Sequence, residues 1–334
     1  MAIQEEGIMS YKTIDGLMRH LRHNGIAISG SGQKRLLINT GYFHGYKGYR
    51  FFRNSARKIP FATFEEIYAT IQYDSALKSL LYGKMMFIET AIKNVAMGEI
   101  LKKTKSEGIR AMFDKAISSY QNAPSTATLE EKRKLQQNKL DLQKSIQIGL
   151  ANAYGKSNPK ITHFYNTAKY TDVPVWALFE IISMGDLGHL LSCLTNDVRE
   201  AISKKLGISI TIDTDLELIY KYIYTLKDLR NAVAHNLVVF DTRFRAFDPN
   251  HVMKQFLQTE VGLPYVNFKT IGDYIILICF FLKKLRVTKT EQKAFVREFE
   301  RITADYRSSV SPAVASVVIH PDLPSRMATL KSYI

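Results

Sequence analysis

Apolar residues recur at helical spacing along most of the chain. The clearest stretch is FEEIYATIQYDSALKSLLYGKMMFIETAIKNVAMGEILKK. There Ile67, Ile71, Ala76, Leu80, Leu81, Met85, Ile88 and Ile92 form one stripe, which predicts one long helix or a slightly broken pair over 64–102. Upstream, the pattern predicts a first helix over 11–24, then a short helix that runs into the aromatic, glycine-punctuated turn GYFHGYKGYRFF. From 104 to 158 the stripe thins while Gln, Lys and Ser accumulate. That segment is helical by propensity but poor in apolar surface, and it predicts a protruding, variable helical insertion. Regular periodicity resumes at PVWALFEIISMGDLGHLLSCL, with Pro174 at a helix start, and continues through 213–235, 271–285 and 289–307. The end of the chain is punctuated by Pro and Ser. LVVFDTRF has the composition of a short strand but no strong strand to pair with, so the expected class is all-α, a multi-helix bundle with a helical insertion. The expected divisions are 1–103, 104–158, 159–307 and a tail over 308–334.

Composition narrows the function classes. With 334 residues and 46% hydrophobic content, the chain can bury a sizeable core. The longest apolar run, 274–282, is too short to span a bilayer and reads as a buried helix. MAIQEEGIMSYKTIDG lacks a basic segment followed by an apolar one, so no secretory signal is expected. Cys193 and Cys279 both sit among apolar neighbours, which suits buried free thiols and a cytoplasmic location. Lys and Arg number 46 against 31 acidic residues, a formal charge of +15. That excess is spread along the chain, and it points to a polyanionic partner held on a basic face, nucleic acid before a membrane surface.

The run LKDLRNAVAHN carries the chemistry, since it sets Arg230, Asn231 and His235 at the end of an apolar-striped helix. Cleaving RNA without metal or cofactor needs one group to take the 2′-hydroxyl proton and another to protonate the 5′-oxygen, and an imidazole suits either role. A guanidinium offers forked donors to the charged phosphorane. Positions 231 and 235 share a helix face, so Asn231 is placed to orient His235. Arg230 lies roughly 140° around from His235 and must reach across with its long stem. One histidine leaves the acid–base pair incomplete, and a two-fold homodimer with a composite site would complete it. Tyr42, Tyr46, Lys47, Tyr49, Arg50 and Arg53 interleave rings and charges, as an RNA-stacking surface does, whereas Phe43, Phe51 and Phe52 read better as core. His20 and His23 have a metal-compatible spacing but no third ligand nearby, so no metal is expected. Glu89 is placed either to pair with Arg230 across the bundle or to face solvent.

LRNAVAHN resembles the signature of the HEPN ribonuclease superfamily: an Arg, a polar residue next, and a His after four to six residues. More specifically, the chain resembles the Abi family of bacterial abortive-infection proteins, of the AbiD and AbiF kind, relatives of the RNA-cleaving domains of type VI CRISPR effectors. Three blocks carry the likeness in the family's order. These are YKTIDGLMRHLRHNGIAI with LLINTGYFHGYKGYRFF, then PVWALFEIISMGDLGHLL, then LRNAVAHN itself. Met184 and Gly185 stand where the family has Phe-Gly, a conservative departure. The resemblance implies a cytoplasmic phage-defence or toxin-like ribonuclease with Arg230, Asn231 and His235 as active residues, restrained in some branches by a small structured non-coding RNA. A non-cleaving RNA-binding protein is the alternative from the same residues. A sensor that binds a phage or host protein, with Arg230 and His235 structural, is a third.

Overall fold

The computed structural model describes residues 12–170 and 172–334, and within them the chain forms fifteen α-helices and one π-helical turn. The only β pairing among these residues is isolated bridges. α1 (Ile14–His23) opens behind the Thr13 cap, whose hydroxyl accepts the Gly16 N–H. The expected start at Tyr11 lies outside the described residues. α2 (Gly30–Thr40) ends at Gly41, whose φ of 73° and ψ of 149° only glycine adopts freely. The chain then continues as a wide π-helical turn, Gly41–Lys47.

α3 (Phe64–Thr104) is one unbroken helix of 41 residues, about 60 Å long, and is the axis of the molecule. A reciprocal cap starts it: Thr63 accepts the Glu66 N–H while the Glu66 carboxylate accepts the Thr63 N–H. Its buried stripe follows the expected register, except that Leu77 is fully buried where Ala76 and Leu80 are half-buried.

α4 (Ile109–Lys115) and α5 (Leu129–Gly155) occupy the apolar-poor segment. The C-terminal half of α5 buries Leu142, Ile146 and Leu150, and the helix packs on its successors α6 (Pro159–Asn166), α7 (Val175–Ile181) and α8 (Met184–Cys193). α7 and α8 replace a single expected helix. Ser183 and Asp186 cap one another and begin a new helix after Ile182. α9 (Asn196–Lys205) leads to α10 (Leu218–Ala234), which packs most extensively on α8. Gly188 permits that approach, since a Cβ there would lie 2.9 Å from the Tyr224 ring.

After α10 the run LVVFDTRF forms buried turns rather than a strand. The N–H groups of Val239 and Phe240 donate to the Asp74 carboxylate instead of to a neighbouring strand. α11 (His251–Val261), α12 (Ile271–Lys284) and α13 (Lys289–Ser308) complete the bundle, with residues 271–282 of α12 buried on every side. No helix among the described residues is long and apolar enough to cross a membrane. The punctuated end is helical too, forming α14 (Pro312–Val318) and α15 (Leu323–Tyr333). α15 is anchored by the buried Arg326–Asp273 pair. Cys193 and Cys279 are free and buried, and burial pushes their thiols up to about 11 and about 12.

Candidate active site

The motif lies where α10 stops. Asn236, with a left-handed φ of 53°, ends the helix, a conformation asparagine tolerates better than most residues. The Asn236 N–H donates to the Val233 carbonyl and the Leu237 N–H to the Ala232 carbonyl, which closes a Schellman turn. His235 is therefore the last half-helical residue and is exposed.

Arg230 sits one turn earlier, on the seam between α10 and α3. Its Nε is 4.0 Å from Glu89 Oε2 of α3, and its side chain keeps 31% of its surface open. Glu89 is buried, and its other oxygen takes Lys93 Nζ at 2.9 Å, while that lysine also donates to the Ile182 carbonyl at 2.7 Å. The contact with Arg230 is an ion pair beyond hydrogen-bond length. Neither Glu89 Oε2 nor Arg230 Nε has a hydrogen-bond partner among the described residues. The choice that sequence leaves open for Glu89 is thus resolved in favour of the bundle interior.

Asn231 departs from expectation. Its Oδ1 accepts from Arg230 Nη1 at 3.3 Å, and among the described residues only the backbone, His235 N–H to the Asn231 carbonyl at 2.9 Å, joins it to His235. The adjacent charged donor outcompetes the imidazole one turn away.

The aromatic turn adjoins the same corner. Asp74 of α3 is fully buried and holds the two together. It pairs with Lys78 at 2.7 Å, accepts the Tyr49 hydroxyl at 2.9 Å, and takes the Val239 and Phe240 N–H groups at 2.8 Å each. Burial and the facing Asp74 carboxylate push the Tyr49 hydroxyl well above the usual tyrosine range. Asp241 accepts the Arg53 N–H, and Arg243 reaches back to the Gly48 carbonyl at 2.7 Å. Lys78 Nζ also donates to Asn236 Oδ1 at 2.8 Å, and Asn236 Nδ2 is 3.2 Å from His44 Nε2. His44, Lys78 and Asp74 receive no role from sequence patterning. The one signal that pointed to this corner is an asparagine directly after the motif histidine.

Burial corrects the expected RNA-stacking surface. Tyr42, Tyr46 and Tyr49 are 7%, 2% and 1% exposed, so these rings pack in the core and present no open face to a base. Phe43, expected in the core, is 71% exposed, with Lys47 Nζ 4.8 Å from its ring centre. The π turn accounts for the exchange, because its i→i+5 bonds put more residues in each turn and so rotate successive side chains away from α-helical positions. Phe52 is buried as expected, whereas Phe51 is only half-buried and lies under the Arg50 guanidinium at 4.5 Å. Arg53 is partly buried, which lowers its pKa, and its backbone rather than its side chain makes the bond to Asp241.

A family model described as Abi-like protein matches residues 35–241. The match opens within α2 and closes at Asp241, so it takes in the π turn, α3, the motif and the Asp74 tether. No curated protein and no solved structure matches the chain.

Proposed function

The chain belongs to the Abi-like protein family, and on that footing we propose that it is a metal-independent endoribonuclease of a bacterial phage-defence system, acting in abortive infection or as a toxin. Arg230 and His235 form the centre of its site. The observation that carries this reading is their placement at one helix end. A partly exposed guanidinium is held on the α3 seam by a buried carboxylate, and an exposed imidazole stands one turn further on. In this mechanism an imidazole removes the 2′-hydroxyl proton as the 2′-oxygen attacks phosphorus. The bond from phosphorus to the 5′-oxygen then breaks, and that oxygen is protonated as it leaves. Arg230 donates to the phosphate oxygens where charge accumulates. Asn231, bonded to the guanidinium, positions it. The products are a 2′,3′-cyclic phosphate and a 5′-hydroxyl. Lys47, Arg50 and the exposed Phe43 supply charge and a stacking face for unpaired RNA, either substrate or a structured regulatory RNA.

The test is cleavage of labelled total RNA and tRNA in EDTA by the wild type and by Arg230→Ala/His235→Ala, with analysis of the ends produced. Cyclic-phosphate ends that disappear in the double variant are the expected result. If neither protein cuts and both bind RNA equally, the reading fails and a non-cleaving RNA-binding role replaces it.

A further inference from the structure

Two proton transfers require two groups, and sequence reasoning assigned the second to the partner in a homodimer. We infer that His44 is the second proton-transfer group, supplied by the same chain, an assignment that rests on the ribonuclease reading above. Three observations lead to it. His44 is exposed on the π turn, and its Nε2 is 3.2 Å from Asn236 Nδ2. Asn236 directly follows His235, so His44 Nε2 lies within about 11 Å of the His235 Cα, room for a phosphodiester between two imidazoles. The Asn236 amide is also fixed in direction. Lys78 Nζ can only donate, so it takes Oδ1 and leaves the NH2 group to face His44.

That orientation sets the tautomer. Asn236 Nδ2 can only donate to His44 Nε2, so the ring's lone pair, through which a proton is taken up, is at Nε2. Lys78 is in turn held by the buried Asp74, so the arrangement is anchored in α3. A histidine serving only to tether the turn would be redundant, because Asp74, Asp241 and Arg243 already tie that turn to the chain after the motif. In the reaction His44 Nε2 leaves Asn236, either to take the 2′-hydroxyl proton as the neutral ring or, once protonated, to give a proton to the departing 5′-oxygen, and His235 makes the other transfer. No further reactant is consumed in forming the cyclic phosphate.

The experiment compares the full-length wild type with His44→Ala, His44→Gln and His235→Ala on an RNA substrate that the wild type cuts. Glutamine can still bond Asn236 but cannot transfer a proton. Both His44 variants are expected to lose about 100-fold or more in kcat. On a substrate with sulfur at the bridging 5′ position, whose leaving group needs no acid, either His44→Ala or His235→Ala should regain most of its rate, and the other should not. Mixing His44→Ala with His235→Ala should restore nothing.

A His44→Gln variant as fast as wild type would overturn the assignment and leave His44 a tether. So would rescue of neither alanine variant by the sulfur substrate. Restored cleavage on mixing would place the second group in a partner chain. In each of these cases wild-type cleavage and its loss in His235→Ala would still stand. A wild type that binds RNA but never cuts it would instead overturn the ribonuclease reading, and this assignment with it.

Discussion

Glu89 faces two cations with one buried carboxylate. Lys93 takes one oxygen at hydrogen-bond distance, and Arg230 stands 4.0 Å from the other. Removing the charge would leave both cations short of a counter-ion in a poorly solvated seam, which typically costs about 3 kcal/mol. It would also release the guanidinium from its position. Glu89→Gln is therefore expected to lower the urea midpoint and, separately, to reduce kcat about 10-fold or more at nearly constant KM, since displacement by an ångström is enough to do so. Unchanged kcat in a folded variant would mean that Arg230 needs no help from α3. At this scale the sequence was half legible. Arg230, Asn231 and His235 stand out by type and spacing, but what each one touches does not. Asn231 bonds to Arg230 because the two are neighbours on a helix beside a charge, and Asn236 bonds to Lys78 across 158 positions. Local periodicity carries no information about a partner that far away.

Among the elements, α3 was legible almost to the residue, because its stripe is long and its cap is spelled out by Thr63 and Glu66. The break between α7 and α8 was signalled by Ser183 and Asp186, yet continuous apolar residues on both sides concealed it. The closing helices were hidden for the opposite reason, since Pro312 and Pro324 open helices here rather than end them. Glu66 joins these two regions. One oxygen accepts the Ala62 and Thr63 N–H groups at the start of α3, and the other accepts the Ser311 N–H at the start of α14. Burial alone would raise its pKa, but the donors from Ser311, Ala62 and Thr63 win and hold it below the ordinary glutamate range. A carboxyl whose pKa falls on folding stabilises fully above its unfolded value, about 4.3. That contribution is lost as pH drops through the lower folded value. Glu66→Gln should therefore cost about 2 kcal/mol at neutral pH in urea denaturation. The gap between variant and wild type should close below about pH 4.3. A gap that stays constant down to strong acid would show that the carboxylate charge plays no part in the joint.

For the whole molecule, the fold makes the surface more basic than the sequence implies. Glu66, Asp74, Glu89, Asp213, Asp241 and Asp273 are buried, whereas Lys78 and Arg326 are the only buried cations among the described residues. More negative than positive side chains are thus withdrawn from the surface, so cations predominate among the groups that an approaching polyanion can touch. Binding of single-stranded RNA releases condensed counter-ions, about 0.7 per neutralised phosphate. Four such contacts would give a slope of about −3 for log affinity against log salt, measurable by fluorescence anisotropy over a KCl series. Lys47 stands beside the exposed Phe43, where a base would stack and its phosphate follow. Lys47→Ala is expected to make that slope shallower by about 0.7 while leaving the urea midpoint unchanged, because the lysine is exposed. Phe43→Ala should weaken binding by a salt-independent factor, since stacking releases no ions. If the slope were flat for the wild type, the positive surface would have no polyanion to answer to. If it were steep but indifferent to Lys47, the RNA path would run over another face, away from the π turn and the end of α10.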